Sequence, residues 1–132
     1  MNTIPGAQTE TPPVDVETMR ENIGRLIGPG TATLEDEELA GLTSLMRGHM
    51  QLIIPEIERA AGKLPEDDVP RYCALACIGE AHAKLRATPG AGPHRAAAHA
   101  RKLARSLMAL CDHYEALTGV EMCLACDQPK RP

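Results

Sequence analysis

The stretch of sequence that decides the fold is HRAAAHARKLARSLMALCDHYEAL, residues 94–117. Its apolar side chains recur every three or four positions, as they do along one face of an amphipathic helix. The members of this face are Ala96, Ala100, Leu103, Leu107, Leu110, Tyr114 and Leu117. Gly119 follows closely, and glycine is a frequent helix terminator. The pattern predicts a long helix that must bury one face against other helices.

Two helices are predicted in the first half of the chain. The first, at about 14–27, is short and carries apolar residues at helical spacing, namely Val16, Met19, Ile23 and Leu26. The second runs from roughly 34 to 60. Its apolar face consists of Leu39, Leu42, Leu45, Met46, His49, Ile53, Ile57 and Ala60. Pro55 lies within this pattern and removes one backbone hydrogen bond, so we expect a kink or a break near residues 51–54.

A third helix is predicted at about 69–87, after the N-cap residue Asp68. At about 100° per residue, its side chains divide into two opposite groups. The group assigned to the core consists of Tyr72, Leu75, Ile78, Gly79, His82 and Leu85. The opposite group contains Cys73, Cys77, Glu80 and Lys84. We therefore expect both thiols to face away from the core.

These segments predict an all-α protein, an up-and-down helical bundle of three long helices plus a short N-terminal helix. Short connections between long helices favour antiparallel neighbours. The composition agrees, because 43% of the residues are hydrophobic but only two are Tyr and none is Phe or Trp. We expect a disordered tail at 1–13, a bundle domain at 14–119 and an irregular C-terminal tail at 120–132 that carries Cys-x-x-Cys.

Charge and segment composition exclude several classes of protein. The net charge of −4 and the scarcity of aromatic residues argue against nucleic-acid binding. Arg95, Arg101, Lys102 and Arg105 form a local basic stretch, which we interpret as a solvated helix face. A DNA-binding regulator that uses this face is the lesser alternative. The N-terminus has neither the basic start nor the apolar core of a secretory signal, and no run is long enough to span a membrane. We expect a cytoplasmic protein with reduced thiols.

Four of the five cysteines form two closely spaced pairs. Cys73 and Cys77 are four residues apart on the third helix, so both sulfurs could reach one ion. Cys123 and Cys126 form Cys-Leu-Ala-Cys after the last helix. Zinc prefers tetrahedral sulfur ligands, and a Cys-x-x-Cys segment commonly supplies two of them. The four cysteines therefore predict a structural zinc site that ties the tail to the bundle.

Other interpretations of the cysteines stay open. Cysteine is also a small hydrophobic residue that packs in cores without reacting. Cys-Leu-Ala-Cys could be a dithiol redox motif, although no strand precedes it as in thioredoxin-like folds. Cys111 and His113 cannot pair as nucleophile and base, because residues two apart on a helix point about 200° from each other. Cys111 is expected to pack in the core.

Histidines form the second candidate site. His49, His82 and His99 each lie on the apolar face of a different predicted helix. Together they could ligate a metal ion or bind an acidic ligand in the bundle interior. A core histidine that bonds a backbone carbonyl is the commoner outcome. The sequence has no glycine-rich phosphate loop, nucleophile elbow or paired carboxylates on an apolar background.

Four segments together resemble a known family. They are residues 47–58 (RGHMQLIIPEIE), residues 64–81 (LPEDDVPRYCALACIGEA), residues 104–117 (ARSLMALCDHYEAL) and the terminal Cys-Leu-Ala-Cys. The resemblance is to small actinobacterial proteins of unknown function, common in Streptomyces-type genomes and often labelled natural product biosynthesis proteins. It covers about residues 34–128. It implies a setting in specialised metabolism, without a reaction or site residues.

These observations favour a non-catalytic accessory or regulatory protein of specialised metabolism that acts by binding a protein partner. A structural zinc ion is its candidate cofactor. The alternative is an enzyme or small-ligand-binding protein that uses a histidine-lined bundle interior. The sequence leaves the partner, the pathway and the oligomeric state open.

Overall fold

The computed structural model describes residues 14–28 and 34–119. They form four helices and, within these ranges, no strand: α1 (Val16–Gly24), α2 (Asp36–Gly62), α3 (Val69–Arg86) and α4 (Pro93–Thr118). The predicted all-α bundle of three long helices and one short helix is confirmed. The predicted tails at 1–13 and 120–132 lie outside the described residues.

Local signals account for where the helices start. The Asp15 carboxylate accepts a hydrogen bond from the Thr18 backbone N–H at 3.1 Å and so caps α1. Asp68 caps α3 in the same way, accepting from the Arg71 N–H at 2.9 Å. Such caps satisfy backbone donors that have no partner within the helix. Gly92, at φ 96°, precedes α4 in a backbone conformation that favours glycine.

Consecutive helices run antiparallel. Arg47, near the middle of α2, bonds the carbonyl of Leu85 at the end of α3. Lys84 and Lys102 line one groove between α3 and α4, as do Cys77 and Ala109. α2 and α4 each pack against all three other helices, and together they form the centre of the bundle.

The core is aliphatic and rich in sulfur. α2 and α4 contribute most of the fully buried side chains, and α1 covers one end of them. The largest are Met19, Leu26, Met46, Met50, Ile53, Ile57, Leu103, Leu107, Leu110 and Cys111. The Sγ of Cys111 lies 3.9 Å from the Sδ of Met19, which confirms that Cys111 packs in the core. None of the four described helices combines the length and apolar content that crossing a membrane requires.

The predicted break near residues 51–54 does not occur, because α2 is one helix from Asp36 to Gly62, and the alternative of a kink stays a prediction. Pro55 has no N–H, so the bond to the Gln51 carbonyl cannot form. Both residues lie on the exposed side of the helix, while Ile53 and Ile54 beside them are buried. Burial of the isoleucines outweighs the loss of one bond.

The core face predicted for α3 is wrong in part, because Ile78 is buried and Leu85 packs against the core while the larger members at the start of the helix are exposed. Its buried side chains are Ala74, Ile78 and Ala81. Tyr72 is 72% exposed and Leu75 is 39% exposed. Alanines at the contact let the neighbouring helices approach closely, so packing selects the small side chains over the larger ones. A smaller error affects α2, where Leu45 is exposed while Met50 and Ile54, which the predicted face omitted, are buried.

Candidate functional site

Arg47 ties three helices together. It is the only charged residue between Leu39 and Pro55 if histidine is counted as neutral. Its guanidinium donates to the carbonyls of Leu85 at 2.8 Å and Ala87 at 3.4 Å. Carbonyls at a helix C-terminus lack intrahelical partners, and a cation there also complements the helix dipole. Arg47 therefore anchors the end of α3 against α2.

The same guanidinium contacts His99 of α4, with its Nη2 3.1 Å from the histidine Nε2. Burial lowers the pKa of His99 below its ordinary value, and the charges of Arg47 and Lys102 lower it further. The ring is therefore neutral at pH 7. Because an arginine can only donate, Nε2 must accept and the ring proton lies on Nδ1. His99 is 6% exposed, and no group in the described ranges bonds its Nδ1.

His99 lines a positively charged groove between α3 and α4. One part of it, of about 220 Å³, is lined by His99 together with Lys84, Arg95 and Lys102. An adjoining part, of about 390 Å³, shares the two lysines and adds Arg105. We call the surface formed by these five side chains the basic groove. Its four cations form no ion pair within residues 14–28 and 34–119, where the paired arginines are Arg20, Arg25 and Arg59.

A second groove lies on the other side of His99, between the start of α2 and the loop before α4. It has a volume of about 480 Å³ and a mostly apolar lining that includes Leu39, Ala40 and Ala96. Gly90 in that loop has a φ of 84°, and a Cβ placed on it would lie 3.1 Å from Cδ of Arg95. The glycine therefore allows the Arg95 side chain to fold back over the loop.

The other two predicted histidines lie elsewhere. His49 is half-buried, and its Nε2 lies 3.1 Å from the amide nitrogen of Asn22 in α1. Since residues two apart on a helix point about 200° from each other, His49 is on the opposite side of α2 from Arg47 and His99. His82 is exposed and lines a groove of about 440 Å³ between α2 and α3. A ligand role for each stays a prediction, and each would act at a separate place.

The cysteines occupy three different environments. Cys73 is exposed, as predicted. The prediction that Cys77 also faces away from the core is wrong, because its side chain is half-buried and packs against the core beside the basic groove. Cys111 is buried in the core. Burial raises the pKa of the Cys77 thiol, and it raises the pKa of Cys111 to about 11. Within the described ranges, no three or more His, Cys, Asp or Glu side chains are placed to hold a metal ion. Cys123 and Cys126 lie outside those ranges, so the four-thiolate site stays a prediction.

The surface of α3 that faces away from the core carries large apolar side chains. We define the outer face of α3 as Val69, Tyr72 and Leu75, all of which are exposed. Gly79 lies on the same face, and a Cβ placed there would meet no atom within 4 Å. Glu66 and Asp67, which precede the helix, are exposed next to its apolar end.

Comparison with known proteins gives a family without a known reaction. The chain belongs to a family of unknown function, DUF6415, whose sequence model matches residues 17–119. The match spans α2, α3 and α4 completely and almost all of α1. No curated protein matches the chain, and no solved structure matches it.

Proposed function

We propose that this protein is a non-catalytic accessory or regulatory protein that binds a protein partner through the outer face of α3. The observation that carries the proposal is the exposure of Val69 and Tyr72, at 67% and 72%. Burying an aliphatic or aromatic side chain of this size is worth about 1.5–3 kcal/mol. A partner that covers both would gain that free energy, which α3 does not gain within the bundle.

The grouping of these side chains matters more than their number. Single exposed apolar residues are normal on protein surfaces. Here three occur within two turns of one helix, and one is tyrosine, a residue enriched in interfaces. Tyr72 is one of only two aromatic residues in the chain. The other, Tyr114, is half-buried and packs against the core, whereas Tyr72 makes no use of its ring there, which supports a binding role for Tyr72.

The charges beside this face define the partner's chemistry. Glu66 and Asp67 are exposed at the end where Val69 begins the helix. A partner segment with an apolar stripe and basic side chains at one end would match both features. Because its contact centres on Tyr72, the interaction should depend strongly on that ring.

The cellular setting belongs to the same proposal. A cytoplasmic protein of actinobacterial specialised metabolism is supported by the family resemblance in residues 34–128 and by cysteine usage, and the helical geometry adds nothing to it. A zinc ion held by Cys73, Cys77, Cys123 and Cys126 is supported by the exposure of Cys73 and the partial exposure of Cys77. Elemental analysis tests it, with stoichiometric zinc in the wild type and loss of zinc in Cys123→Ser. Four freely titrating thiols without metal would refute it.

The partner is tested by photo-crosslinking from the outer face of α3. A photoreactive amino acid at position 72 should yield one defined adduct in cells. The same amino acid at position 108, where Met108 is exposed on α4, is the matched control. The partner, identified by mass spectrometry, is then purified and its affinity for the bundle is measured directly.

Tyr72→Asp should weaken that affinity at least tenfold, while Met108→Asp should leave it within about twofold. Adducts at position 72 that do not exceed those at position 108 would refute the proposal. Equal affinities of the two variants would refute it as well. If the crosslinked protein is a second copy of this chain, the outer face of α3 is a homodimer interface and not a site for another protein. Sedimentation would then confirm the dimer.

A further inference from the structure

The basic groove concentrates positive charge on a protein whose net charge is −4. Lys84 and Lys102 line both of its parts, Arg95 lines one part and Arg105 the other. Glu80 is the one carboxylate among the described residues that line it, and no ion pair joins it to them. Cations that share a concave surface repel each other, and a bound anion removes that cost. The charge pattern therefore indicates an anionic ligand.

His99 gives a second and independent indication. Its Nε2 is occupied by Arg47, which leaves Nδ1–H as a donor with no partner in the described part of the chain. A buried donor without an acceptor is costly and uncommon in folded proteins. Since His99 lines the same part of the groove as Arg95, an anion bound there could supply the missing acceptor.

The size of the basic groove indicates the size of its ligand. The groove volume of about 220 Å³ next to His99 suits a small group rather than a large one.

We propose that the basic groove binds the phosphate group of a small molecule, with Lys84, Arg95, Lys102 and Nδ1–H of His99 as its donors. A phosphate dianion has enough oxygen atoms and charge to engage several donors at once, whereas a single carboxylate has only two oxygen atoms. This site is distinct from the outer face of α3 and does not depend on a partner bound there.

Nucleic acid is the other phosphate-bearing class, and the surface fits it less well. Single-stranded binding surfaces combine cations with aromatic rings on which bases stack. The residues that line the basic groove include no aromatic ring other than the imidazole of His99, which is almost fully buried. A concave groove also presents its charges to a small ligand better than to a duplex.

The test is an NMR titration of the full-length, isotopically labelled protein with inorganic phosphate and, separately, with pyrophosphate. Saturable shifts should centre on the backbone amides of Arg95, His99 and Lys102, and pyrophosphate should bind more tightly. Lys102→Gln should weaken pyrophosphate binding about tenfold, as expected for loss of one charge-assisted hydrogen bond. The matched control is Lys63→Gln, because Lys63 is exposed at the C-terminal end of α2, does not line the basic groove and should leave the affinity unchanged when it is replaced.

Three results would overturn the proposal. The first is the absence of saturable shifts with either anion, and the second is equal weakening by the two lysine variants. The third is binding of succinate as tight as that of pyrophosphate, which would assign the groove to dicarboxylates. A short DNA duplex that binds with steep salt dependence, when neither phosphate probe does, would also overturn it and assign the surface to nucleic acid. Arg95→Gln provides a second groove variant should Lys102→Gln fail to fold.

Discussion

The two sides of α4 contrast sharply. Towards α1 the contact is closed, with Met19 packed on Cys111 and with Arg20 bonded to Asp112 at 2.9 Å and to Glu115 at 2.8 Å. Towards α3 the surface between the helices opens into the basic groove. The contact with α1 therefore consists of large apolar side chains and paired charges. The contact with α3 consists of small side chains beside cations that form no ion pair in the described part of the chain.

The α1 side of α4 contributes mainly to the stability of the fold, whereas the α3 side offers surface for binding. α1 is short, yet it buries Met19 and Ile23, and Leu26 just after it is also buried. α3 is twice as long and buries mainly two alanines and one isoleucine. Buried apolar area is the main source of stability, so the closed side should stabilise the fold more per residue. The open side is where ligand or partner contacts can be made.

The largest effect should come from breaking the closed side. Met19→Ala removes a fully buried side chain and should lower the free energy of unfolding by about 3 kcal/mol. Met108→Ala makes the same chemical change at a side chain that is 37% exposed and should cost less than about 1 kcal/mol. Urea denaturation followed by circular dichroism measures both. Equal losses would mean that burial does not distinguish these positions.

The next effect concerns Arg47, which joins α2 to the end of α3 and to His99 of α4 on the open side. Arg47→Met keeps most of the side-chain length but removes the bonds to Leu85, Ala87 and His99, and should cost about 2 kcal/mol. Arg59→Met is the control, because its pair with Glu56 is an exposed contact within one helix worth less than about 1 kcal/mol.

Arg47→Met should also raise the pKa of His99, because it removes a neighbouring positive charge. Imidazole resonances followed against pH measure this change. An unchanged pKa would show that the guanidinium does not act on the ring.

A smaller effect follows from pH. Burial lowers the pKa of both His49 and His99 below the ordinary value of 6.5. Near and below that pH the unfolded chain binds protons that the folded chain does not, so stability should fall as the pH falls through this range and be fully present above it. His99→Gln keeps an acceptor for Arg47 and should flatten the profile. Urea midpoints measured from pH 8 to pH 5 give the comparison, and identical profiles would contradict the assignment.

The smallest effect should come from the surface charges of the closed side. Asp112→Asn removes one of the two partners of Arg20 and should cost less than about 1 kcal/mol, because the carboxylate is 66% exposed. High salt should reduce the cost further. A double-mutant cycle with Arg20→Met measures the coupling. A coupling free energy above about 2 kcal/mol would show that the Arg20–Asp112 ion pair, and not apolar burial, holds α1 against α4.

Helix positions could be predicted from the sequence, but one helix face could not. The predicted bounds of all four helices lie within three residues of the observed ones, because caps, prolines and glycines act locally. In α3 two apolar groups compete, one with Tyr72 and Leu75 and one with Ala74 and Ala81. Hydropathy favours the larger side chains. Which group is buried depends on the shape of the α4 surface that packs against α3. The sequence pattern of α3 alone carries no information about that surface.

The basic groove and the Arg47 contact were missed for a related reason. Arg47 meets residues 38 and 52 positions away in sequence, and no local motif encodes such a contact. One signal was present, namely a single charged residue in the otherwise uncharged stretch from Leu39 to Pro55. An isolated charge on a helix with buried neighbours indicates a specific partner. The basic stretch of α4 was noted, but Lys84 joins it only through the fold.

The sulfur atoms of the core have a chemical consequence. Met19, Met46 and Met50 are fully buried, as is the thiol of Cys111, whereas Met108 is partly exposed. Among the methionines that the structure describes, peroxide should therefore convert Met108 to its sulfoxide first, while the inner thioethers react only when the bundle opens. A sulfoxide formed there is polar and would prevent repacking of the interior. Methionine sulfoxide reductases should therefore be able to repair the oxidised side chain at the surface. Sulfoxides in the core should instead accumulate, because each opening of the bundle exposes further thioethers.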